Sequence, residues 1–238
     1  ELVDDALALS GIPAGGRIVE IGCGPGNATL LFARRGYRIV AIELGERLAA
    51  LAAKNCRAYP GVAIENIAFE DWPTEEKAFD LAISADAFHW IPPEIGYPKV
   101  ARALKDSGSA VFFWNVPVDP QTDWSRAIDA VYRERAPQVE NPDKSFTLEW
   151  VIGIIKENFA ASGCFGEVTV RHYSWPETYT SEHYLKLLRT FSGHRGLDED
   201  TRDRLFAGIH EVIERFGGRV TKPNLVALFH ARKRQWLL

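Results

Sequence analysis

The chain has 238 residues, 46% of them hydrophobic and 25% charged, enough for one large globular domain or a domain with an appended cap. Its formal charge of -4 lacks the overall positive excess that drives nonspecific nucleic-acid binding, and no run reaches the ~18 to 20 apolar residues of a membrane helix. Cys23, Cys56 and Cys164 are odd in number, scattered and without C-x-x-C spacing, which argues against a disulfide framework or a structural zinc site and points to a reducing cytoplasm.

The N-terminus shows no basic-then-apolar leader pattern. The chain opens on Glu1 and contains no Met, so further residues are expected before it.

Short β-branched runs alternate with helical patterns through the first half. Strands are expected at 17–21, 38–43, 62–66, 79–84 and 109–115, and helices at 28–35, 46–55 and 94–104, the rhythm of a parallel sheet wound on both faces. Gly36 and Gly108 stand where helices end, in the role of residues that tolerate positive φ. The pattern changes after Pro117. Thr147 is a candidate cap for a helix through Ala161, the stretch 163–166 a turn and 167–173 a sixth strand. Helices over 181–190 and 198–216 precede a last strand at 225–231, while residues 137–144 form the best candidate for a mobile loop.

The run G22-C-G-P-G26 sits between the first strand and the first helix. Three glycines there leave backbone bare, and their amides, with the helix dipole, are expected to favour a negative group. Seventeen residues later Glu43 ends the second strand, where a carboxylate can accept both hydroxyls of a ribose. The expected ligand is a nucleoside with an anionic arm. The third glycine of G-x-G-x-x-G is absent, Asn27 standing in its place, which counts against NAD; no Lys or Arg lies between Gly22 and Phe32, which counts against a nucleoside triphosphate.

The stretch E20-I-G-C-G-P-G26, Glu43, "EDWP" at 70–73, "FDLAISADAFHWI" at 79–91 and "ARALKDSGSAVFFW" at 101–114 together resemble class I S-adenosylmethionine-dependent methyltransferases, more narrowly small-molecule enzymes of the trans-aconitate methyltransferase type. The resemblance implies a doubly wound, mostly parallel seven-stranded α/β sheet with its last strand antiparallel. It implies a cofactor-binding core at residues 1–116 and a C-terminal part, 117–238, that completes the sheet and supplies a helical cap, the whole forming one structural domain.

For the cofactor S-adenosylmethionine, the resemblance gives Gly22, Cys23 and Gly24 to its amino-acid arm, Glu20 to a place below the ammonium and Glu43 to the ribose. Ala68 and Phe69 line the adenine, and Ser84 and Ala85 pass under the methionyl part. Many relatives carry Asp at the place of Ala68, so its hydrogen bond is missing here or comes from elsewhere, with Glu70 a candidate. A thiol at a helix start invites a nucleophile reading of Cys23, but glycines on both sides indicate that the loop serves through its backbone.

Methyl transfer needs an in-line acceptor, exclusion of water and, for a protonated acceptor, a base. His89, beyond the fourth strand, is the catalytic candidate, to orient or deprotonate the acceptor, or else to pin its own loop. Trp90 is a pocket wall, and Trp114 and Asn115 lie on the same sheet edge. Tyr184 is one of several tail aromatics that either close over the site or form lid core. Arg189, His194 and Arg195 are either a clamp for an acidic substrate or a solvated face.

No metal spacing is present among the histidines, and no hydrolase elbow. The expected partner is a small-molecule acceptor methylated at oxygen or carbon, with no nucleic acid or membrane; the sequence leaves the acceptor and the oligomeric state open. Two other functions stay open, a nicotinamide-dependent oxidoreductase and a noncatalytic methyltransferase-like binding protein.

Overall fold

The computed structural model describes residues 1–144 and 146–235. In chain order the elements are α1 (Leu2–Ser10), β1 (Arg17–Ile21), α2 (Asn27–Ala33), β2 (Arg38–Ile42), α3 (Glu46–Cys56), β3 (Val62–Glu65), β4 (Phe79–Ala85), α4 (Pro93–Ala103) and β5 (Leu104–Val116). They continue with α5 (Asp123–Arg135), α6 (Leu148–Ser162), β6 (Thr169–Thr180), α7 (Ser181–Leu188), α8 (Ser192–Arg195), α9 (Glu199–Arg215) and β7 (Arg219–Arg232). Single 3-10 turns stand at Phe88–Trp90 and Pro142–Lys144. Among the described residues no helix is long and apolar enough to cross a membrane.

Seven strands form one mixed sheet in the order β3-β2-β1-β4-β5-β7-β6. The pairs β1–β2, β1–β4, β2–β3 and β4–β5 are all parallel, so the carboxyl ends of these five strands share one edge. Ile18, Val19, Glu20 and Ile21 of β1 are all buried, as in a strand covered on both faces, which is why it reads as an apolar run that only Glu20 interrupts. α3 contacts both β3 and α2. Gly36, at φ 84°, ends the α2 turn as its position implies.

The chain divides into two compact units. One comprises Glu1–Trp114, Ile152–His172 and the end of β7 from Ala227; the other comprises Asn115–Val151 and Tyr173–Val226. In the first, an aromatic cluster joins Phe88, Tyr97, Phe112, Phe159 and Phe165, with Phe88 stacked on Phe112 at 4.1 Å between ring centroids and Tyr97 edge-on to Phe159 at 4.8 Å. In the second, α5, α7 and α9 bury a core that includes Ile128, Tyr132, Tyr184, Leu205, Ile209 and Ile213. The stripe of Leu185, Leu188 and Phe191 packs there too.

Several expectations need correction. Gly108 closes no helix: α4 stops at Ala103 and β5 begins at once, five residues before the expected Ser109. The step from Phe79 to Leu81 is matched by the step from Leu104 to Ser109, so β5 bulges there, and Gly108 sits where a side chain would meet Leu104 at 3.1 Å. β6 and β7 run longer than the apolar runs that announce them. α5 went unforeseen, although Thr122 and Ser125 form a reciprocal cap at its start.

Residues 137–144 are no loose loop. Asn141 donates to Asp129 at 2.6 Å, and buried Asp143 pairs with buried Lys222 while accepting from the Tyr184 hydroxyl at 3.1 Å. His194, expected on the surface, is fully buried with Nε2 at 2.7 Å from the Tyr132 hydroxyl.

Candidate functional site

A cavity of about 390 Å³ opens at the shared carboxyl edge of β1, β2 and β4 in the first unit. This is where ligands sit in open α/β sheets. Gly22 and Gly24 form its floor, Glu43, Leu44 and Leu48 one side, Ala68, Phe69 and Glu70 another, and Ala85, Asp86, Ala87 and Trp90 the mouth.

The glycine turn is closed in a way the sequence did not suggest. The amides of Gly22 and Cys23 both donate to the Ile42 carbonyl, at 2.9 and 3.1 Å, and the Gly24 amide donates to Glu43 Oε2 at 2.8 Å. The expected cluster of unengaged amides in this turn is therefore absent; positive φ at Gly22 (67°) and Gly24 (56°) turns the peptide planes toward β2. Gly22 is required twice over, because a Cβ there would stand 2.4 Å from that of Ala87. Gly24 instead faces open space, with nothing within 4 Å of a built Cβ.

Glu43 is buried, and its second oxygen accepts from the Gly45 amide at 2.8 Å. With one backbone donor on each oxygen, the carboxylate keeps lone pairs for two further donors in a fixed direction. Asn66 donates to the carbonyls of Glu43 and Leu44, at 2.8 and 3.0 Å, and holds the strand end in place.

The cavity wall contains Glu43, Glu70 and Asp86, and no Lys, Arg or His among its lining residues. Lys99 donates to the Glu70 carbonyl but is not part of the wall. Such a lining favours a cation over a phosphate chain, which reverses the sequence expectation of a site built for an anion. Leu44, Leu48, Ile67, Phe69 and Ile91 supply apolar surface, and Phe69 is itself stacked on Trp72, 6.1 Å between centroids. No Asp stands at Ala68; Glu70 lines the cavity nearby.

Glu20 and Cys23 lie outside the lining. Burial pushes the Glu20 carboxyl up to about 8, opposed by Thr29, and neither oxygen has a hydrogen-bond partner of ordinary geometry among the described residues. Burial, helped by the charges of Glu20 and Glu43, pushes the Cys23 thiol well up. It is thus unfit as a nucleophile. Ser84 is buried, outside the lining, and donates to the carbonyl of Ile21, a lining residue, at 2.7 Å.

His89 is exposed and outside the cavity lining, next in sequence to Trp90, which lines it, on the 3-10 turn whose Phe88 anchors in the aromatic cluster. Trp114 Nε1 donates to His89 Nδ1 at 3.0 Å. Trp90 is 76% exposed. Asn115, Tyr184 and Arg189 belong to the second unit. There Tyr184 is core, with its hydroxyl engaged by Asp143, Arg189 lies over the Phe206 ring at 5.4 Å, and Asn115 is an exposed position near the end of β5.

Asp86 was missed. It holds φ 52° directly after β4 and lines the cavity. A non-glycine residue in that conformation often marks a functional turn. Its signal was an Asp, a residue that tolerates the left-handed region, at the carboxyl end of a parallel strand.

A methyltransferase-domain family model matches residues 18–108. An uncharacterized methyltransferase-like protein of Schizosaccharomyces pombe is 26% identical over 83% of this chain and 72% of its own length. The trans-aconitate 2-methyltransferase of Variovorax paradoxus is 29% identical over 63% of this chain and 58% of its own. The chain spans from about half to three quarters of the length of such relatives. In fold it is similar to phosphoethanolamine N-methyltransferase 2 of Haemonchus contortus, crystallised with phosphomonomethylethanolamine and S-adenosylhomocysteine. There the TM-score is 0.56 at 17% identity, covering 98% of this chain and 52% of that one.

Proposed function

We propose that this chain, which a methyltransferase-domain family model matches over residues 18–108, is a class I S-adenosylmethionine-dependent methyltransferase that moves a methyl group from S-adenosylmethionine to oxygen or carbon of a small molecule. The observation that carries the reading is the acidic cavity itself: Glu43 anchored by the Gly24 and Gly45 amides, beside a bare Gly24, at the ligand edge of the sheet.

Glu43 would accept the ribose hydroxyls, and the face of Gly24 would admit the methionyl arm. Ala68, Phe69 and Ile67 would flank the adenine, with Glu70 the acidic group near its amine. Glu20 and Ser84 act from beneath, setting the glycine turn and the end of β1. When bound, the cofactor supplies an electrophilic methyl on a sulfonium. Carboxylates around the cavity and the absence of a cation from its lining suit that positive charge and oppose the pyrophosphate of a nicotinamide dinucleotide. Positioning then does much of the chemistry. Trp90, at the mouth, and His89, next to it in sequence, are the groups we assign to the acceptor side.

The test is a panel of small carboxylic acids, phenols and quinols incubated with the protein and S-adenosylmethionine, followed by S-adenosylhomocysteine release. Turnover on at least one acceptor supports the reading. S-adenosylhomocysteine that neither forms nor binds to the protein would overturn it.

A further inference from the structure

His89 is held from two sides within the first unit. Its turn is fixed by Phe88, stacked on Phe112, and its Nδ1 receives the indole N–H of Trp114 at 3.0 Å. Trp114 is itself immobilised, 7% exposed and edge-on to both Phe112 (6.3 Å) and Phe229 (5.6 Å). On its outer side the imidazole lies against Trp90, 5.0 Å between centroids.

An indole nitrogen only donates. The histidine nitrogen facing it must therefore be the unprotonated one, and in the neutral ring the proton sits on Nε2. Turning the ring over would set a carbon against the buried indole N–H and leave that donor unpaired. Adding a second proton would place N–H against N–H. The partial burial of the ring works in the same direction, and the charge of Asp86 works against it.

We infer that Trp114 is a positioning residue that locks His89 as a neutral hydrogen-bond donor through Nε2, so that His89 orients the acceptor and does not deprotonate it. This rests on the methyl transfer proposed above. Its consequence is a restriction on substrate class: with no base at His89, the favoured acceptor presents a group that is already unprotonated at the working pH. At such a group a lone pair forms the new bond to the methyl carbon, the electrons of the broken S–C bond stay on sulfur, and no proton is released.

The decisive experiment is two-bond proton–nitrogen correlation NMR of the 15N-histidine-labelled protein between pH 5 and 9, with His89→Gln to assign the signal. The expected spectrum has His89 Nδ1 unprotonated and Nε2 protonated at neutral pH, with a titration midpoint below the ordinary 6.5. In Trp114→Phe the midpoint rises and the two tautomers mix. A proton on Nδ1 in the unsubstituted protein overturns the inference, as does a His89 signal that Trp114→Phe leaves unchanged; the first reading needs no variant to fold.

Calorimetry with S-adenosylhomocysteine on the same samples separates a failure of the cofactor reading from a failure of this one. On an acceptor found in the panel, His89→Gln, which keeps a donor and cannot be a base, retains more turnover than His89→Ala. A base would instead lose about 10² to 10⁴-fold in both variants.

Discussion

The Gly24 amide and Glu43 Oε2, 2.8 Å apart, tie the glycine turn after β1 to the acid after β2. Each end of the cavity thus fixes the other. Replacing Glu43 by Gln sets an NH₂ group against one of the two amides that now donate to it. Losing that charge-assisted contact and a ribose acceptor is expected to weaken S-adenosylhomocysteine binding by about ten- to a hundredfold, roughly 1.4 to 2.8 kcal/mol, measured by titration calorimetry. An unchanged affinity would remove Glu43 from the site.

The two glycines should respond differently to Ala. At Gly22, positive φ and a Cβ 2.4 Å from that of Ala87 combine a left-handed penalty of about 1 to 2 kcal/mol with overpacking of about 1 to 3, so the expected result is a large drop in melting temperature. At Gly24 the space is open, and only the first penalty applies. Gly24→Ala should stay folded and lose affinity for S-adenosylhomocysteine, a pattern checked by thermal denaturation and binding on the same samples.

Glu20 makes stability depend on pH in a definite direction. Its folded carboxyl is raised from 4.5 to about 8, so below 4.5 both folded and unfolded chains carry the proton. As pH rises from 4.5 to 8 the unfolded chain releases it and the folded chain does not, and stability falls. Glu20→Gln removes this loss. Its advantage over the parent protein should be near zero at pH 4.5 and grow to the order of 4 kcal/mol by pH 8, read from denaturant midpoints. His230, which burial and Arg232 push down to about 4, acts in both proteins and drops out of the difference.

In the second unit the buried pair Asp143–Lys222 gives a further check. Asp143→Ala leaves an uncompensated buried ammonium and should cost about 3 to 5 kcal/mol. Asp143→Leu combined with Lys222→Met should recover most of it. Hydrogen exchange in α5, α7 and α9 reports the loss where it occurs.

What could be read in the sequence was local. β1 matches its expected bounds because Ile18, Val19 and Ile21, buried on both faces, make a short apolar, β-branched run that Glu20 alone interrupts. Gly36 and the start of α9 near residue 198 were equally plain. The turn carrying His89 and Trp90 was harder: the Trp114–His89 bond spans 25 residues, and neither side chain announces the other. The closure of the Gly22 and Cys23 amides onto Ile42 depends on where β2 lies beside β1, so a glycine count could suggest an anion site where the finished cavity is acidic. Likewise Lys222 reaches Asp143 across 79 residues, which is why a Pro- and Asn-rich stretch looked loose.

The most direct test of the account is titration calorimetry of the purified protein with S-adenosylhomocysteine and, in parallel, with NAD. The cavity of Gly24, Glu43 and Asp86 predicts saturable one-site binding of S-adenosylhomocysteine, weakened by Glu43→Gln, and no binding of NAD. Saturable binding of NAD alone would contradict it.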